Sequence, residues 1–394
     1  MTRHYGMDWL RIGAFALLIL YHIAMVFVPW NFHVKSSHVE NWVRLPMLAA
    51  NAWRLTLLFV VSGYASRALL RRSSGPVRFF ATRCYRLLVP LAFGILVIVP
   101  PQPWVELVTR HGYAGSYWTF WTHDAFRFAP LDGLWLPAWN HLWFVVYLFV
   151  YTTVLTLGVA LVRGPRSLRS HQNVRSRGAQ RLFDRVFGGW LVLLLPLAWL
   201  IFVHGWWFQM AAESQALLGD WIAHITYFPA FLFGFGLARS EPAIAAIARL
   251  WKVGAGLALL GYATILGIEL GLPAGIAKPH WVYTAYGIAH ALEQWGGIVA
   301  LIGLAERHLN RDHRWRPMLT EAVFPFYLIH QTIIVLVMYA LLPAGLPGWA
   351  EFTLLLVATV AGCFAFYRIG RRIAPLRPLI GLRKRPPAPV ESIV

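Results

Sequence analysis

Repeated apolar runs of membrane-crossing length, separated by basic gaps, constrain this chain more than any other feature. Their rough limits are 9–29, 48–69, 79–100, 140–162, 187–204, 221–239, 250–270, 284–304, 321–342 and 349–370. About 20 consecutive apolar residues make a helix that crosses the hydrocarbon core. The runs are continuous, whereas a membrane barrel would show short alternating ones. Of 394 residues, 58% are hydrophobic and only 13% charged, against about a quarter charged in a soluble chain. In lipid every backbone polar group must be satisfied within the protein. The expected fold is therefore all-α, a polytopic bundle of about ten transmembrane helices. It fills residues 1–375, and a basic, Pro-rich tail at 376–394 lies loosely along the cytoplasmic membrane surface.

The basic residues report orientation. A net charge of +19 would point to nucleic acid if it formed one patch, but here it sits in the gaps between apolar runs. With the N-terminus inside, only Lys35, Arg44, Arg110, Arg127 and Lys278 fall in outer segments, and Arg54 lies within a span. The other Lys and Arg residues, including the cluster Arg163 to Arg185 and the tail Arg368 to Arg385, lie on the inner side. The positive-inside rule puts both termini in the cytoplasm. The lipid bilayer is an expected partner and nucleic acid is not. Cys84 and Cys363 form no ligand spacing, so neither a disulfide framework nor a metal is expected. The first run carries Asp8, Arg11 and His22 and lacks a small-x-small cleavage site, so it is read as a span, not a signal peptide.

Ionisable side chains inside spans are costly and usually functional. His22 lies 11 residues past Arg11. At about 100° per residue the two share one face, within about 20° of rotation. Asp8 falls about 40° from His22 on the same side. The rise puts His22 roughly 16 Å beyond Arg11, in the outer half of the bilayer. Arg54 lies about 10 Å below the outer face of the second run, at matched depth. A buried Arg keeps its proton, so it needs an anion, carbonyls or a wet cavity. Farther along, Ser62-Gly63-Tyr64 includes a glycine that permits close approach of another backbone or a ligand. Arg83 and Arg86 share a face near the inner surface, where two guanidinium forks suit phosphates as well as they suit snorkelling. His33, His141 and His330 are further candidates. The outer segment 101–139 holds Trp104, Tyr113, Tyr117, Trp118, Trp121, Trp135 and Trp139. It reads either as an aromatic belt at the headgroups or as a lid whose rings stack on a carbohydrate.

Together these residues resemble the acyltransferase-3 family of membrane acyltransferases. The pattern consists of Asp8-Trp9-Leu10-Arg11 followed by Tyr21-His22, then Phe59 to Tyr64, Arg83-Cys84-Tyr85-Arg86, and Phe326 to His330. Within the family, Trp30 to Val34, Arg54 with Phe59 to Tyr64, His141 to Phe144 and Phe228 to Phe231 resemble the branch that succinylates periplasmic glucans. The resemblance implies a bacterial inner-membrane enzyme. It would move an acyl group from cytoplasmic acyl-CoA (succinyl-CoA or acetyl-CoA) to a hydroxyl of a carbohydrate acceptor on the outer side. Arg83, Arg86, Arg11 and Ser62 would hold the CoA. His22 would act as general base or acyl carrier, with Arg54 at the developing oxyanion and Asp8 in the same catalytic set. His33, His141, Trp143 and His330 would contact the acceptor. A homodimer is left open. The competing readings are O-acetylation of a lipopolysaccharide or exopolysaccharide sugar, and secondary transport of an anionic solute with Arg54 and His22 as substrate and proton sites. The sequence shows no internal repeat of the kind that builds many transporters.

Overall fold

The computed structural model describes residues 4–163, 174–209, 211–272 and 278–383. In chain order it contains α1 (Tyr5–Ala24), α2 (Arg44–Asn51), α3 (Arg54–Arg72), α4 (Pro76–Phe93), α5 (Pro101–Arg110) and α6 (Tyr117–Thr119). A hairpin of β1 (Ala129–Leu131) and β2 (Leu134–Leu136) follows. The chain continues through α7 (Trp143–Arg163), α8 (Val174–Phe187), α9 (Leu191–Phe202), α10 (Trp221–Leu237) and α11 (Glu241–Gly271). It ends with α12 (His280–His308), α13 (Arg316–Leu341), α14 (Gly348–Arg372) and α15 (Leu376–Leu379).

The expected membrane bundle is present. Among the described residues, 8 helical segments are long and apolar enough to cross a bilayer. A further apolar pair, Gly178–Phe187 with Leu191–Trp207, is bent by 86°, and the apolar α10 is shorter. Every one of the predicted runs is therefore helical. Differences lie at the ends and breaks. Helix α1 stops at Ala24 rather than near 29. The second run is interrupted after α2, so Arg54 opens α3 within the single membrane-crossing segment Asn41–Arg72. Pro196 interrupts the backbone ladder of α9, which ends in a wide π turn at Val203–Trp207. Part of the basic cluster (164–173) and most of the tail (384–394) lie outside the described residues. Residues 376–383 are folded: Arg377 donates to the carbonyls of Arg371 and Arg383, at 2.9 and 2.7 Å.

The chain divides into two compact units. The larger comprises the chain up to Pro29, Glu40–Arg83 and Val146–Thr320; the smaller comprises Trp30–Val39, Cys84–Val145 and the chain from Glu321 onward. In the larger unit α3 crosses α10 at backbone contact. A Cβ on Gly63 would meet the Phe231 carbonyl at 1.9 Å, and one on Gly234 would meet the Val60 carbonyl at 1.9 Å. Glycine at such crossings lets helices gain dispersion contact in lipid, where no hydrophobic effect drives them together. Gly63 thus accommodates a backbone, not a ligand. In the smaller unit the 101–139 segment folds around its own apolar core of Leu107, Phe120, Ala125 and Leu136. Trp104 and Tyr113 pack against that core, while Trp118 and Trp135 are exposed. The hairpin pairs Ala129 with Leu136 and Leu131 with Leu134.

The crossing predicts a sharp contrast between glycines. Gly63→Ala should destabilise the protein by about 1–3 kcal/mol through overpacking, whereas Gly256→Ala, with no neighbour within 4 Å, should be neutral. Thermal unfolding in detergent measures both. Equal melting temperatures for the two variants would mean that α3 and α10 do not touch through backbone.

Candidate functional site

Arg54 is the most constrained charge in the larger unit. It is 6% exposed, and its Nε and Nη1 have no hydrogen-bond partner among the described residues. It sits at the N-terminus of α3, the positive end of the helix dipole, where a cation is disfavoured. The π face of Tyr21 compensates, with the guanidinium carbon 3.4 Å from the ring centroid. The Tyr21 hydroxyl donates to Asn51 Oδ1 at 3.0 Å, and the Tyr21 ring meets the half-buried His22 edge-on at 6.4 Å. His22 and Arg54, predicted at one depth, both neighbour the ring of Tyr21, a residue that sequence reasoning passed over.

A cavity of about 310 Å³ opens beside this group. Its polar lining consists of Asn51, His204, Glu213, Tyr227, His290 and Gln294, with Tyr286 and Phe208 adding ring surface. Each wall has a local cause. The π turn that ends α9 carries His204, whose ring lies 4.9 Å from that of His290 on α12. Gly287 lets this turn approach α12: a Cβ there would lie 2.1 Å from the His204 carbonyl. Gln294 is 2% exposed and donates to Thr56 at 2.7 Å. Its Oε1 and His204 Nε2 lie near each other, but neither makes a well-formed hydrogen bond among the described residues.

Glu213 comes from the loop before α10. Buried Asp220 caps that helix, accepting from Ala223 N, and also accepts from Gln215 N at 2.8 Å and the Tyr147 hydroxyl at 2.8 Å. Those bonds fix the loop, and Tyr227 donates to Glu213 at 2.5 Å. Burial pushes the Glu213 carboxyl up to about 7 and Asp220 adds to this, against the pull of the Tyr227 hydrogen bond and the Arg54 charge. Near neutral pH this carboxyl can therefore either donate or accept. Glu293, next to Gln294, is 1% exposed, and both its oxygens lack partners among the described residues.

The other predicted residues are distributed elsewhere. Asp8 pairs with Arg316 at 2.7 Å, about 21 Å along α1 from His22, so the two are not brought together. Arg11 is half-buried one turn beyond Asp8. Arg83 donates to the hydroxyls of Ser66 at 2.7 Å and Thr152 at 3.5 Å. Ser62 contributes its carbonyl to Ser66. In the smaller unit, Arg86 lies within electrostatic reach of Arg383, a further cation that sequence reasoning did not connect with it. His33 pairs with Glu106 at 2.5 Å. Buried His141 reaches the Leu328 carbonyl at 3.2 Å, and its ring stands 5.1 Å from that of fully buried His330. Trp143 is buried beside Phe144. Gln102 anchors a polar network nearby in the same unit, donating to Thr332 and accepting from Asn140 and Gln331.

His290, Glu293 and Gln294 were recoverable from the sequence as polar residues within one apolar run. His204, the last residue of the run 187–204, was recoverable in the same way, whereas Glu213 carried no such signal because a loop brings it to the cavity.

Comparison with known proteins agrees with a helical membrane protein. The acyltransferase-3 profile, described as an acyltransferase domain, matches residues 4–368. Glucans biosynthesis protein C from Escherichia coli O6:K15:H31 (strain 536 / UPEC) is 28% identical over 153 residues, 39% of this chain and 38% of that protein. Proteins of the same name from Escherichia coli O1:K1 / APEC and strain K12 / DH10B match with the same identity and coverage. The match thus spans well under half the length of these relatives. No solved structure gives a significant match. Because the family profile covers nearly the entire chain, the protein belongs to the acyltransferase-3 family of multi-pass membrane acyltransferases.

Proposed function

We propose that this enzyme moves an acyl group, succinyl or acetyl, from cytoplasmic acyl-CoA to a hydroxyl of an extracytoplasmic glucan or related polysaccharide, across the bacterial inner membrane. The observation that carries the reading is the buried, under-bonded Arg54, which neighbours the Tyr21 ring together with His22 at the end of α1 that the charge distribution assigns to the outside. A fixed cation beside a candidate base suits a reaction that creates an oxyanion next to a proton transfer. The similarity to glucans biosynthesis protein C favours a glucan acceptor.

In the proposed step the acceptor hydroxyl oxygen bonds to the thioester carbonyl carbon while its proton passes to His22. Negative charge builds on the carbonyl oxygen, where Arg54 and the N-terminus of α3 stabilise it. Collapse of this adduct breaks the carbon–sulfur bond. The departing CoA thiolate takes the proton from His22, giving the O-acyl glycan and free CoA. Arg11, Arg83 and Arg86, with Ser62 nearby on α3, would hold the CoA phosphates at the inner side. His33, His141, Trp143 and His330 would shape the acceptor side, and Asp8 would secure the inner end of α1 through Arg316.

Two outcomes follow from these assignments. His22→Ala should abolish transfer of labelled acyl groups to glycan in membranes while acyl-CoA binds normally. His22→Gln should be nearly as inactive, because general base catalysis contributes roughly 10²–10⁴ in rate. Near-normal transfer by His22→Gln would show that a hydrogen bond suffices and would remove the base role. Arg83→Ala or Arg86→Ala should weaken acyl-CoA binding roughly ten- to a hundred-fold, from a lost charge-assisted contact of about 1.5–3 kcal/mol. Equilibrium binding in detergent tests this, and unchanged affinity in both variants would return the pair to a topological role.

A further inference from the structure

The cavity bounded by Asn51, His204, Glu213, Tyr227, His290 and Gln294 is lined by none of the residues assigned to the donor, Arg11, Ser62, Arg83 and Arg86, and its composition identifies what it can hold. We infer that it is an acceptor subsite of the larger unit, additional to the acceptor contacts assigned to His33, His141, Trp143 and His330 and built to take one neutral, hydroxyl-rich sugar residue. This inference rests on the acyltransferase reading and deepens it by locating the acceptor.

Four observations lead there. The first is size: about 310 Å³ is at the lower end of small-ligand sites, which run from about 300 to 1,000 Å³. That suits a single ring more than a length of polymer or a CoA. The second is bonding capacity. Gln294 Oε1 and His204 Nε2 are buried and lie near each other, yet neither makes a well-formed hydrogen bond among the described residues, and a buried polar atom left poorly satisfied is costly. Asn51 has its oxygen engaged by Tyr21, which leaves its amide nitrogen as a donor. Glu213, fixed by Tyr227, offers carboxyl oxygens. A sugar hydroxyl both donates and accepts, so a ring with several hydroxyls can satisfy such a mixed set, and Tyr227 and Tyr286 offer flat surface to its C–H face. The third is charge. A carboxyl stands on the wall and Arg54 is not among the lining residues, so the lining suits a neutral ligand better than an anionic solute. The fourth is position. Most of the lining comes from the ends of α9, α10 and α12 that the charge distribution turns outward, where a carbohydrate acceptor would arrive. Through Asn51 the cavity also adjoins Tyr21, the neighbour of His22.

The test uses the full-length protein in lipid nanodiscs, with a glucose tetrasaccharide as probe. Saturation-transfer NMR measures binding, and labelled acyl transfer gives KM for glycan and for acyl-CoA. His290→Phe removes a polar wall. Ala211→Trp fills the mouth from an exposed position and leaves the buried residues untouched, so a folded variant is available even if the first fails to fold. Both should weaken oligosaccharide binding and raise KM for glycan at least ten-fold, with KM for acyl-CoA changed less than two-fold. Unaltered glycan binding and KM in folded Ala211→Trp would overturn the subsite while leaving the acyltransferase reading in place. Tetrasaccharide binding that the variants abolish, with no acyl group moved from any acyl-CoA, would uphold the subsite and defeat the donor assignment. Displacement of the tetrasaccharide by millimolar succinate in the wild type would overturn the neutral-ligand inference.

Discussion

A guanidinium that cannot lose its proton is held out of water at the head of α3, and much of the larger unit is arranged around that fact. Arg54 lies at the wrong end of a helix dipole for a cation, with two of its nitrogens unpartnered among the described residues. Its support consists of an aromatic face below it and the charge of Glu213 acting on the same space. Tyr21 can give its ring to Arg54 because Asn51 holds its hydroxyl. Glu213 can reach the site because Asp220 and Tyr227 hold its loop. A buried charge kept in this way is poor for stability by itself, which is why its retention points to chemistry.

The same contrast separates the two polar clusters. In the smaller unit Gln102 shares its amide with Thr332, Asn140 and Gln331, a connected network of the kind that rigidifies a membrane core. In the larger unit the polar atoms around the cavity are only partly satisfied. Binding sites differ from structural networks in this respect: the bonds missing in the free protein are those a ligand supplies.

Much of the fold was legible in the sequence. Continuous apolar runs of bilayer length admit one backbone solution, the helix, because no water is present to satisfy N–H and C=O groups. The family motifs and the helical spacing of Arg11 and His22 could also be read directly, since they depend on neighbours within one helix. Less legible were the breaks. The sequence did not announce that the second run is interrupted before Arg54, or that the fifth ends in a π turn. Such breaks depend on what the neighbouring helices can satisfy.

The sequence by itself determined the solvent of this protein, its helical class, its orientation and the presence of charges that lipid alone cannot hold. Each follows from local composition and from the cost of exposing polar groups to hydrocarbon. Only the tertiary structure decided which of those charges meet. Asp8 and His22 share a helix face yet sit about 21 Å apart along it, and Asp8 is claimed by Arg316. Glu213, His204, His290 and Gln294 come from a loop, a π turn and a single distant helix, and converge because glycine at 287 lets α12 approach the π turn after α9. Sequence spacing carries information about one helix at a time, whereas a site walled by several helices is fixed by their crossings.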